Sequence, residues 1–249
     1  METFSPKDVQ VSEEKIKPVA RSFPMMRVFL WMGLALLITG VVALGFPNIL
    51  ALMDYDTANT VNMVCLVIST IIMFPCVVVV NMKSFKPKSV GIRIAYILYS
   101  IAVGLLLSSV FTLVLAVDGN NALMTISIAF LISAFSFIVM GAIGALTKKN
   151  LSILYPVLSA LLLGALIISL VNWFIGAELV YWIVDFVLLG VILVVTAVDI
   201  NNVKKLAQAK VLDDNMNSLS IYCAFNLYVD FINIFIRVLM YLLIFSRRD

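Results

Sequence analysis

Seven stretches of apolar sequence, each about as long as a membrane-crossing helix, constrain this chain more than any other feature. They cover residues 27–46, 60–81, 92–117, 122–146, 152–174, 178–199 and 218–245. A helix needs about 20 apolar residues to cross the hydrocarbon core of a bilayer. Of the 249 residues, 63% are hydrophobic and 12% are charged, whereas a soluble domain is about half apolar and about a quarter charged. We therefore expect an all-α integral membrane protein with seven transmembrane helices.

The polar segment before the first apolar stretch has a distinct composition. Residues 1–24 carry both acidic and basic side chains and are predicted to form a cytoplasmic N-terminal tail. The apolar stretch that follows is long enough to stay in the bilayer as an anchor, so no cleavable signal peptide is expected. Because the predicted loops are short, residues 25–249 are expected to form one transmembrane domain.

Lysine and arginine are concentrated on one side of the predicted bundle. Fourteen of the 17 basic residues lie in the N-terminal tail and in the loops after the second, fourth and sixth stretches. The opposite loops carry four acidic residues and no basic ones, namely Asp54, Asp56, Asp118 and Glu178. Cytoplasmic loops are enriched in Lys and Arg, so in the inner (plasma) membrane the N-terminus is predicted to be cytoplasmic and the C-terminus outside. Arg247 and Arg248 run against this pattern, and the alternative is that the last stretch does not cross fully.

The seventh stretch combines apolar residues with four polar ones. Asn226, Asp230, Asn233 and Arg237 are spaced by 4, 3 and 4 residues, which places them on one helical face. Charged groups within a membrane usually face the interior of a bundle or a water-filled cavity. The seventh helix is therefore expected at the centre of the bundle. A structural alternative is that the two amides only form hydrogen bonds to neighbouring helices.

Two further charged positions within the apolar stretches need an explanation. Asp185 and Arg237 lie about 7 and about 8 residues inside the outer ends of their helices, hence at similar depth. We expect them to form an ion pair in the outer leaflet that neutralises both charges. Asp199 lies at the end of the sixth stretch, where the alternative is an interfacial residue beside Lys204 and Lys205.

The sequence lacks the residues that several classes of function require. The chain has no histidine, and Cys65, Cys76 and Cys223 lie in apolar stretches without the spacing of a disulfide framework or a metal site. An intramembrane aspartyl protease would need Gly-x-Gly-Asp, but Thr196–Val198 and Leu227–Val229 precede the two membrane aspartates. No nucleotide-binding loop or nucleophile elbow occurs. We therefore expect a protein that is not an enzyme, with no cofactor and no nucleic-acid partner.

Two motifs near the C-terminus resemble a known family. TAVDINNVKK at residues 196–205 and NLYVDFINIF at residues 226–235 are similar to the motifs of the Bax inhibitor-1 family, the transmembrane Bax-inhibitor-motif proteins. MRVFLWMGLALLITGVVAL, Met26–Leu44, resembles that family's first helix. The resemblance extends over about residues 25–245. It implies seven helices with the seventh in the centre, and the family's bacterial members include pH-sensitive calcium leak channels.

The resemblance also implies a site. In those channels aspartates on the sixth and seventh helices share a proton, and the matching residues here are Asp199 and Asp230, the expected pH sensor and gate. Both are also the expected calcium contacts, because carboxylate oxygens suit a hard cation. A basic residue on an early helix interacts with the pair in the family, and Arg93 is the candidate here. Asn226 and Asn233 are expected beside the gate.

The chain departs from the family pattern at two positions. Val198 stands where a tyrosine commonly precedes the first aspartate, which removes a hydroxyl near the carboxylate. Val103 stands where a glutamate is common on the third helix. Counting residues from the helix ends also puts Asp199 about 7 Å deep and Asp230 about 15 Å deep, so helix tilt would have to close about 8 Å between them.

Two functions follow as expectations. The first is a pH-sensitive cation leak channel, with calcium as the expected ion, because two close carboxyls resist double ionisation and titrate as a unit. The second is a membrane-embedded regulatory protein that binds and restrains a membrane protease or a stress-response partner. In both cases the lipid bilayer is the immediate surrounding partner.

Overall fold

The computed structural model describes residues 20–22, 25–83, 90–208 and 210–246. Within these ranges the chain forms seven α-helices: α1 Met25–Leu50, α2 Tyr55–Lys83, α3 Val90–Asp118, α4 Ala122–Leu146, α5 Tyr155–Ile175, α6 Glu178–Gln208 and α7 Asp213–Ser246. Short 3-10 turns at Gly119–Asn121 and Leu151–Leu154 precede α4 and α5. A strand of three residues, β1 Ala20–Ser22, pairs antiparallel with β2 Lys210–Leu212. The prediction that the chain folds as a helical membrane protein is confirmed.

Six segments within the described ranges are long and apolar enough to cross a membrane. One of them, Val90–Leu146, is 57 residues long and contains α3, the turn and α4. The predicted tail, residues 1–24, lies outside the described residues except for 20–22. The terminal arginines at 247 and 248 lie outside them too.

The last helix, α7, is the most buried of these segments. More than half of its apolar window is buried, against about a third or less in each of the others. It packs against α1, α2, α3, α4 and α6, and Ile221, Leu227, Ile234 and Leu239 are fully buried. A helix that is apolar on nearly all faces lies among other elements or in lipid. The neighbours of α7 enclose most of its length, including Asp230.

The outer surfaces of the helices are apolar in the pattern expected of lipid contact. On α1, Leu30, Leu37 and Val41 share one face and are each more than 60% exposed. In a soluble protein a continuous exposed apolar face of this kind would be unusual. In a bilayer the same face contacts acyl chains.

Buried hydroxyl groups join α1, α3 and α7. Thr39 Oγ1 donates to the carbonyl of Ser100 at 2.9 Å and lies 2.6 Å from the hydroxyl of Tyr228. The Tyr96 hydroxyl reaches the carbonyl of Ala224 at 3.4 Å. Because no water is available in the hydrocarbon core, such groups must find partners within the protein. Each interhelical bond of this kind contributes about 1 kcal/mol.

Two glycines allow α4 and α6 to approach very closely. A Cβ added at Gly144 would lie 2.2 Å from the carbonyl oxygen of Ala197, and one at Gly141 would lie 2.8 Å from Cδ1 of Ile200. Small residues commonly permit this approach between membrane helices. The contact holds the end of α6 that carries Asp199 against α4.

Helix α5 lies at the edge of the bundle. It packs mainly against α6, and its buried residues are Leu158 and Ala165. Gly176 ends it in the left-handed conformation at φ 69°, with its N–H bonded to the carbonyl of Asn172 at 2.7 Å. This is a common helix ending, because glycine adopts positive φ without a steric cost.

Candidate functional site

Asp199 lies at a buried position on α6, and its carboxylate is held by a chain of side chains. The Tyr155 hydroxyl, at the start of α5, donates to Asp199 Oδ1. Asn202 Nδ2 donates to the Tyr155 oxygen at 2.9 Å. Ser152 Oγ donates to Asn202 Oδ1 at 2.5 Å, and Lys205 Nζ donates to Ser152 Oγ at 3.3 Å. The chain of donors runs from a lysine near the end of α6 to the buried carboxylate.

Asp230 on α7 is buried at 7% exposure. Its carboxyl lies beside the Thr196 hydroxyl and close enough to Asp199 for the two carboxyls to interact electrostatically. Asp230 Oδ2 has no hydrogen-bond partner within the part of the chain that the structure describes.

Asn226 and Asn233, the two residues expected beside this pair, lie in different environments. Asn226 lines a cavity of about 450 Å³ together with Asp199, Tyr155 and Asn202. Asn233 is exposed, and its Nδ2 donates to the carbonyl of Val229 in its own helix at 2.9 Å. The four polar positions of α7 spread over about 60° around its axis, with Asp230 at one edge of the stripe and Asn233 at the other.

Arg93 was expected to interact with the aspartate pair. Its side chain is exposed near the start of α3, whereas Asp199 and Asp230 are both buried. The role of Arg93 beside the aspartate pair therefore stays a prediction. A basic residue that begins a membrane helix is more readily hydrated at the interface than buried beside carboxyls, because burial of a charge is costly.

At the other end of α6 the structure brings Asp185 and Arg237 together. The Arg237 guanidinium forms an ion pair with Asp185 Oδ1, and the Tyr241 hydroxyl donates to Asp185 Oδ2 at 2.5 Å. The Tyr241 ring stacks on Trp182 and Phe186, with ring centroids 6.0 and 5.1 Å away. Both carboxylate oxygens of Asp185 therefore have partners. By contrast, Asp230 Oδ2 has none among the described residues.

Polar residues after Asp199 join the end of α6 to the end of α4. Asn201 Nδ2 donates to the carbonyls of Gly144 and Thr147 at 3.1 and 3.2 Å. Lys204 Nζ donates to the carbonyl of Ala145 at 2.5 Å. The last carbonyls of a helix lack partners within it and carry partial negative charge, so an amide and an ammonium group stabilise this end. Lys204 is thus engaged with α4 and is not the partner of Asp199.

Three residues of the site were not anticipated from the sequence: Tyr155, Thr196 and Tyr241. Tyr241 follows Arg237 by four residues, so helical spacing could have identified it. Tyr155 lies on a different helix, and no spacing argument connects it with Asp199. Because Val198 stands where the family commonly has a tyrosine, a hydroxyl near the Asp199 carboxylate was expected to be missing. The Tyr155 hydroxyl lies there instead.

Oxygen atoms of several kinds that could bind a cation line the cavity beside Asp199. The carboxylate of Asp199, the amide of Asn226 and the phenol of Tyr155 all line it. Hard cations such as Ca²⁺ bind oxygen ligands of these types. Within the described ranges no group of three or more His, Cys, Asp or Glu side chains is placed to hold a metal ion.

Comparison with known proteins agrees with the motifs around the two aspartates. The chain matches the family described as "Inhibitor of apoptosis-promoting Bax1" over residues 21–247. The "Inner membrane protein YbhL" of Escherichia coli (strain K12) is 32% identical over 227 residues, which cover 90% of this chain and 91% of the relative. An uncharacterized protein of Borreliella burgdorferi is 27% identical over 239 residues, with 94% and 97% covered. This multi-pass membrane chain therefore belongs to the Bax inhibitor-1 family.

Proposed function

We propose that this protein is a cation leak channel of the inner membrane, with calcium as the permeant ion, and that a proton shared by Asp199 and Asp230 controls it. The observation that carries the proposal is the placement of two buried, interacting carboxyls, one of which, Asp199, borders a cavity that Asn226 and Tyr155 also line. Burial of two carboxyls is costly unless a partner or a proton compensates them.

The proposed arrangement in the membrane has seven crossings. A helical segment of 57 residues would extend about 86 Å, nearly three times the hydrocarbon thickness. Val90–Leu146 therefore crosses twice, as α3 and α4. We place α7 at the centre of the bundle, since its burial and its five neighbouring helices support that position. The excess of basic residues at the end carrying Lys204 makes that end cytoplasmic and puts the C-terminus outside.

The shared proton is proposed to reside on the Asp230 side of the pair. Asp199 Oδ1 accepts the Tyr155 hydroxyl, which suits an oxygen without a proton. Asp230 Oδ2 has no partner among the described residues and is the oxygen available to carry the proton. The donors that lead from Lys205 fix the orientation of Asp199.

Loss of the shared proton would separate α6 and α7 at this level. For an assumed separation of about 5 Å, two unit negative charges repel by about 3 kcal/mol at an effective dielectric constant of about 20. That energy is of the size that shifts a two-state equilibrium by about a hundredfold. The repulsion is therefore sufficient to bias the channel between a closed and an open arrangement.

The test is calcium flux through the purified protein in liposomes at about pH 6 and about pH 8, a range over which a coupled carboxyl pair can titrate. Wild-type flux should depend on pH. Asp230→Asn and Asp199→Asn should each abolish that dependence, and the double variant should add little because the pair titrates as one unit. Asp56→Asn, at an exposed position near the start of α2, is the control and should keep the wild-type profile.

Two results would contradict the proposal. If either pair variant retained the wild-type pH profile, the carboxyls would be structural and the gate would lie elsewhere. If no flux occurred in wild-type liposomes under any condition, the alternative of a regulatory interaction protein would be favoured instead.

A further inference from the structure

A groove of about 420 Å³ lies on the side of the bundle away from the aspartate pair and is lined by residues of α1, α3, α4 and α7. Both α1 and α4 pack against α3 and α7. In the described part of the chain, however, contact between α1 and α4 themselves is at most marginal. The groove, called here the α1–α4 groove, is therefore a gap that the fold leaves between two of its helices.

The burial of the lining residues indicates which side of the α1–α4 groove is open. Phe111 on α3 and Phe235 on α7 form its floor and are buried. Leu44 on α1 and Leu131 on α4 lie at its edges and are 50% and 66% exposed. Because Leu44 follows Leu37 by seven residues, it shares the exposed apolar face of α1. The groove thus opens onto a surface that contacts acyl chains.

The two polar side chains of the α1–α4 groove already have partners within the protein. Thr39 Oγ1 donates to the carbonyl of Ser100 at 2.9 Å, and Ser127 Oγ donates to the carbonyl of Leu123 at 2.7 Å. The other residues that line the groove are apolar. A polar ligand would lose its hydration here without gaining hydrogen bonds in return, which is costly. The chemistry of the lining therefore selects an apolar occupant.

The volume of the α1–α4 groove favours a thin, flexible chain. An apolar cavity of about 150 Å³ can hold benzene, so a groove of about 420 Å³ has room for a longer hydrocarbon. A partner helix about 10 Å in diameter would fill that volume with about one turn, which is too little for a stable contact. If the groove were empty, the side chains around it would lack van der Waals contacts on one side.

The depth of the groove also suits a lipid chain. On α4 the lining residues Ile126 and Leu131 lie four and nine residues after the first residue of the helix, Ala122. These positions are about 6 and about 14 Å from that end of the helix. Because the hydrocarbon core of a bilayer is about 30 Å thick, a groove at this depth faces the acyl chains of one leaflet.

We propose that the α1–α4 groove binds one acyl chain of a membrane phospholipid. The bound chain differs from the mobile lipid around the bundle because it lies against the buried floor of the groove. Gly40 on α1 lines the groove, and a Cβ added there would meet nothing within 4 Å. A larger side chain at this position would therefore occupy the space that the acyl chain requires. The inference does not depend on the proposed channel function.

Photocrosslinking distinguishes a bound chain from the surrounding lipid. The purified full-length protein is reconstituted in phosphatidylethanolamine vesicles containing a phosphatidylethanolamine that carries a diazirine in the middle of one acyl chain. Peptide mapping should find label at Phe111 and Phe235, which border the groove and are only 6% and 4% exposed. Label confined to lipid-facing positions such as Leu37 and Val41 would overturn the inference.

Two matched glycine variants test the groove itself. Gly40→Phe should reduce the labelling of Phe111 and Phe235 at least several-fold, because the added ring fills the groove. Gly33→Phe is the control, since Gly33 lies seven residues earlier on α1, does not line the groove, and also has nothing within 4 Å of an added Cβ. It should leave the labelling unchanged. Equal labelling of Gly40→Phe and wild type, or an equal loss in both variants, would refute the site.

Saturation of the label supplies a second measurement that needs no variant. In detergent micelles with increasing amounts of the photoreactive phospholipid, labelling of Phe111 and Phe235 should reach a plateau, because a single chain fills the groove. Labelling of Val41, which faces the surrounding lipid, should instead rise in proportion to the amount of phospholipid. A proportional rise at all three positions would mean that no chain is held, and would contradict the proposal.

Labelling in native membranes tests the alternative that another protein covers the groove. If a phospholipid chain is the occupant, Phe111 and Phe235 should be labelled in native membranes as they are in vesicles of the purified protein. Label that appears on these residues only after purification would show that a protein segment occupies the groove in the cell, and would overturn the inference.

Discussion

Replacing Asp185 by asparagine removes one charge from the pair at the outer end of α6 while it retains an oxygen acceptor. The Tyr241 hydroxyl, which donates to Asp185 Oδ2 at 2.5 Å, can still donate to the asparagine amide oxygen. Arg237, by contrast, loses its counter-charge and stays between helices. The substitution therefore tests the charge interaction separately from the tyrosine hydrogen bond.

The expected size of the effect follows from the burial of the pair. Two opposite charges about 4 Å apart attract by about 4 kcal/mol at an effective dielectric constant of about 20. Each side chain is 19% exposed, so solvent screens part of that attraction. Removing one member of a fully buried pair costs about 3–5 kcal/mol. For this partly screened pair we expect Asp185→Asn to reduce the free energy of unfolding by about 2–3 kcal/mol.

The double variant separates pairing from independent effects. Asp185→Asn combined with Arg237→Gln leaves no uncompensated charge, so it should be less destabilising than Asp185→Asn alone. We expect a coupling energy of about 1–2 kcal/mol in the cycle. Tyr241→Phe is the control for the hydrogen bond and should cost about 1 kcal/mol with or without Arg237.

Reversible unfolding in detergent, followed by helical circular dichroism, is the appropriate measurement. All four members of the cycle need the same detergent and ionic strength, because screening changes the charge interaction. Strictly additive effects of the two substitutions would refute the reasoning. The double variant would then be less stable than Asp185→Asn by the full cost of Arg237→Gln.

Three further predictions concern packing, topology and the held carboxylate. Gly144→Ala should destabilise the protein by about 1–3 kcal/mol because the added methyl meets an α6 carbonyl, whereas Gly164→Ala, which meets nothing within 4 Å, should be neutral or slightly stabilising; unfolding in detergent checks both. Impermeant thiol reagent applied to intact cells should label a cysteine at Asp118 and not one at Lys204, and the reverse result would overturn the orientation. Tyr155→Phe should cost about 1–2 kcal/mol, because it removes a donor to a charged acceptor, and unchanged stability would mean that this bond is not formed.

Hydropathy predicted the existence of the helices better than their ends. The fourth stretch, 122–146, coincides with α4, Ala122–Leu146. The sixth was expected to end at residue 199, but α6 continues to Gln208. Its extension is polar, and Asn201 and Lys204 in it are bonded to the end of α4. Apolar length reports the part of a helix in lipid, while its extension beyond the bilayer depends on tertiary hydrogen bonds that composition does not reveal.

Some contacts of the site could likewise be predicted from positions along single helices, whereas others depend on tertiary packing. Depth within two helices was enough to suggest the pairing of Asp185 with Arg237, because both positions can be counted from the helix ends. Helical spacing did not predict that Asn233 would be exposed, since a stripe about 60° wide meets different neighbours on its two sides. The contact of Tyr155 with Asp199 depends on which helix packs beside α6. That choice is tertiary, and no local pattern in α5 indicates it.

The two ends of α6 differ in a way that assigns them different roles. Asp185 faces an opposite charge and has partners for both carboxylate oxygens, so its charge is compensated. Asp199 faces another carboxyl, that of Asp230, with one oxygen of the pair unpartnered among the described residues. Two carboxyls repel when both are charged, so the energy of the second arrangement changes when the pair gains or loses a proton. Substitutions at Asp185 should therefore alter stability without moving the pH profile of the leak, and substitutions at Asp199 should alter that profile.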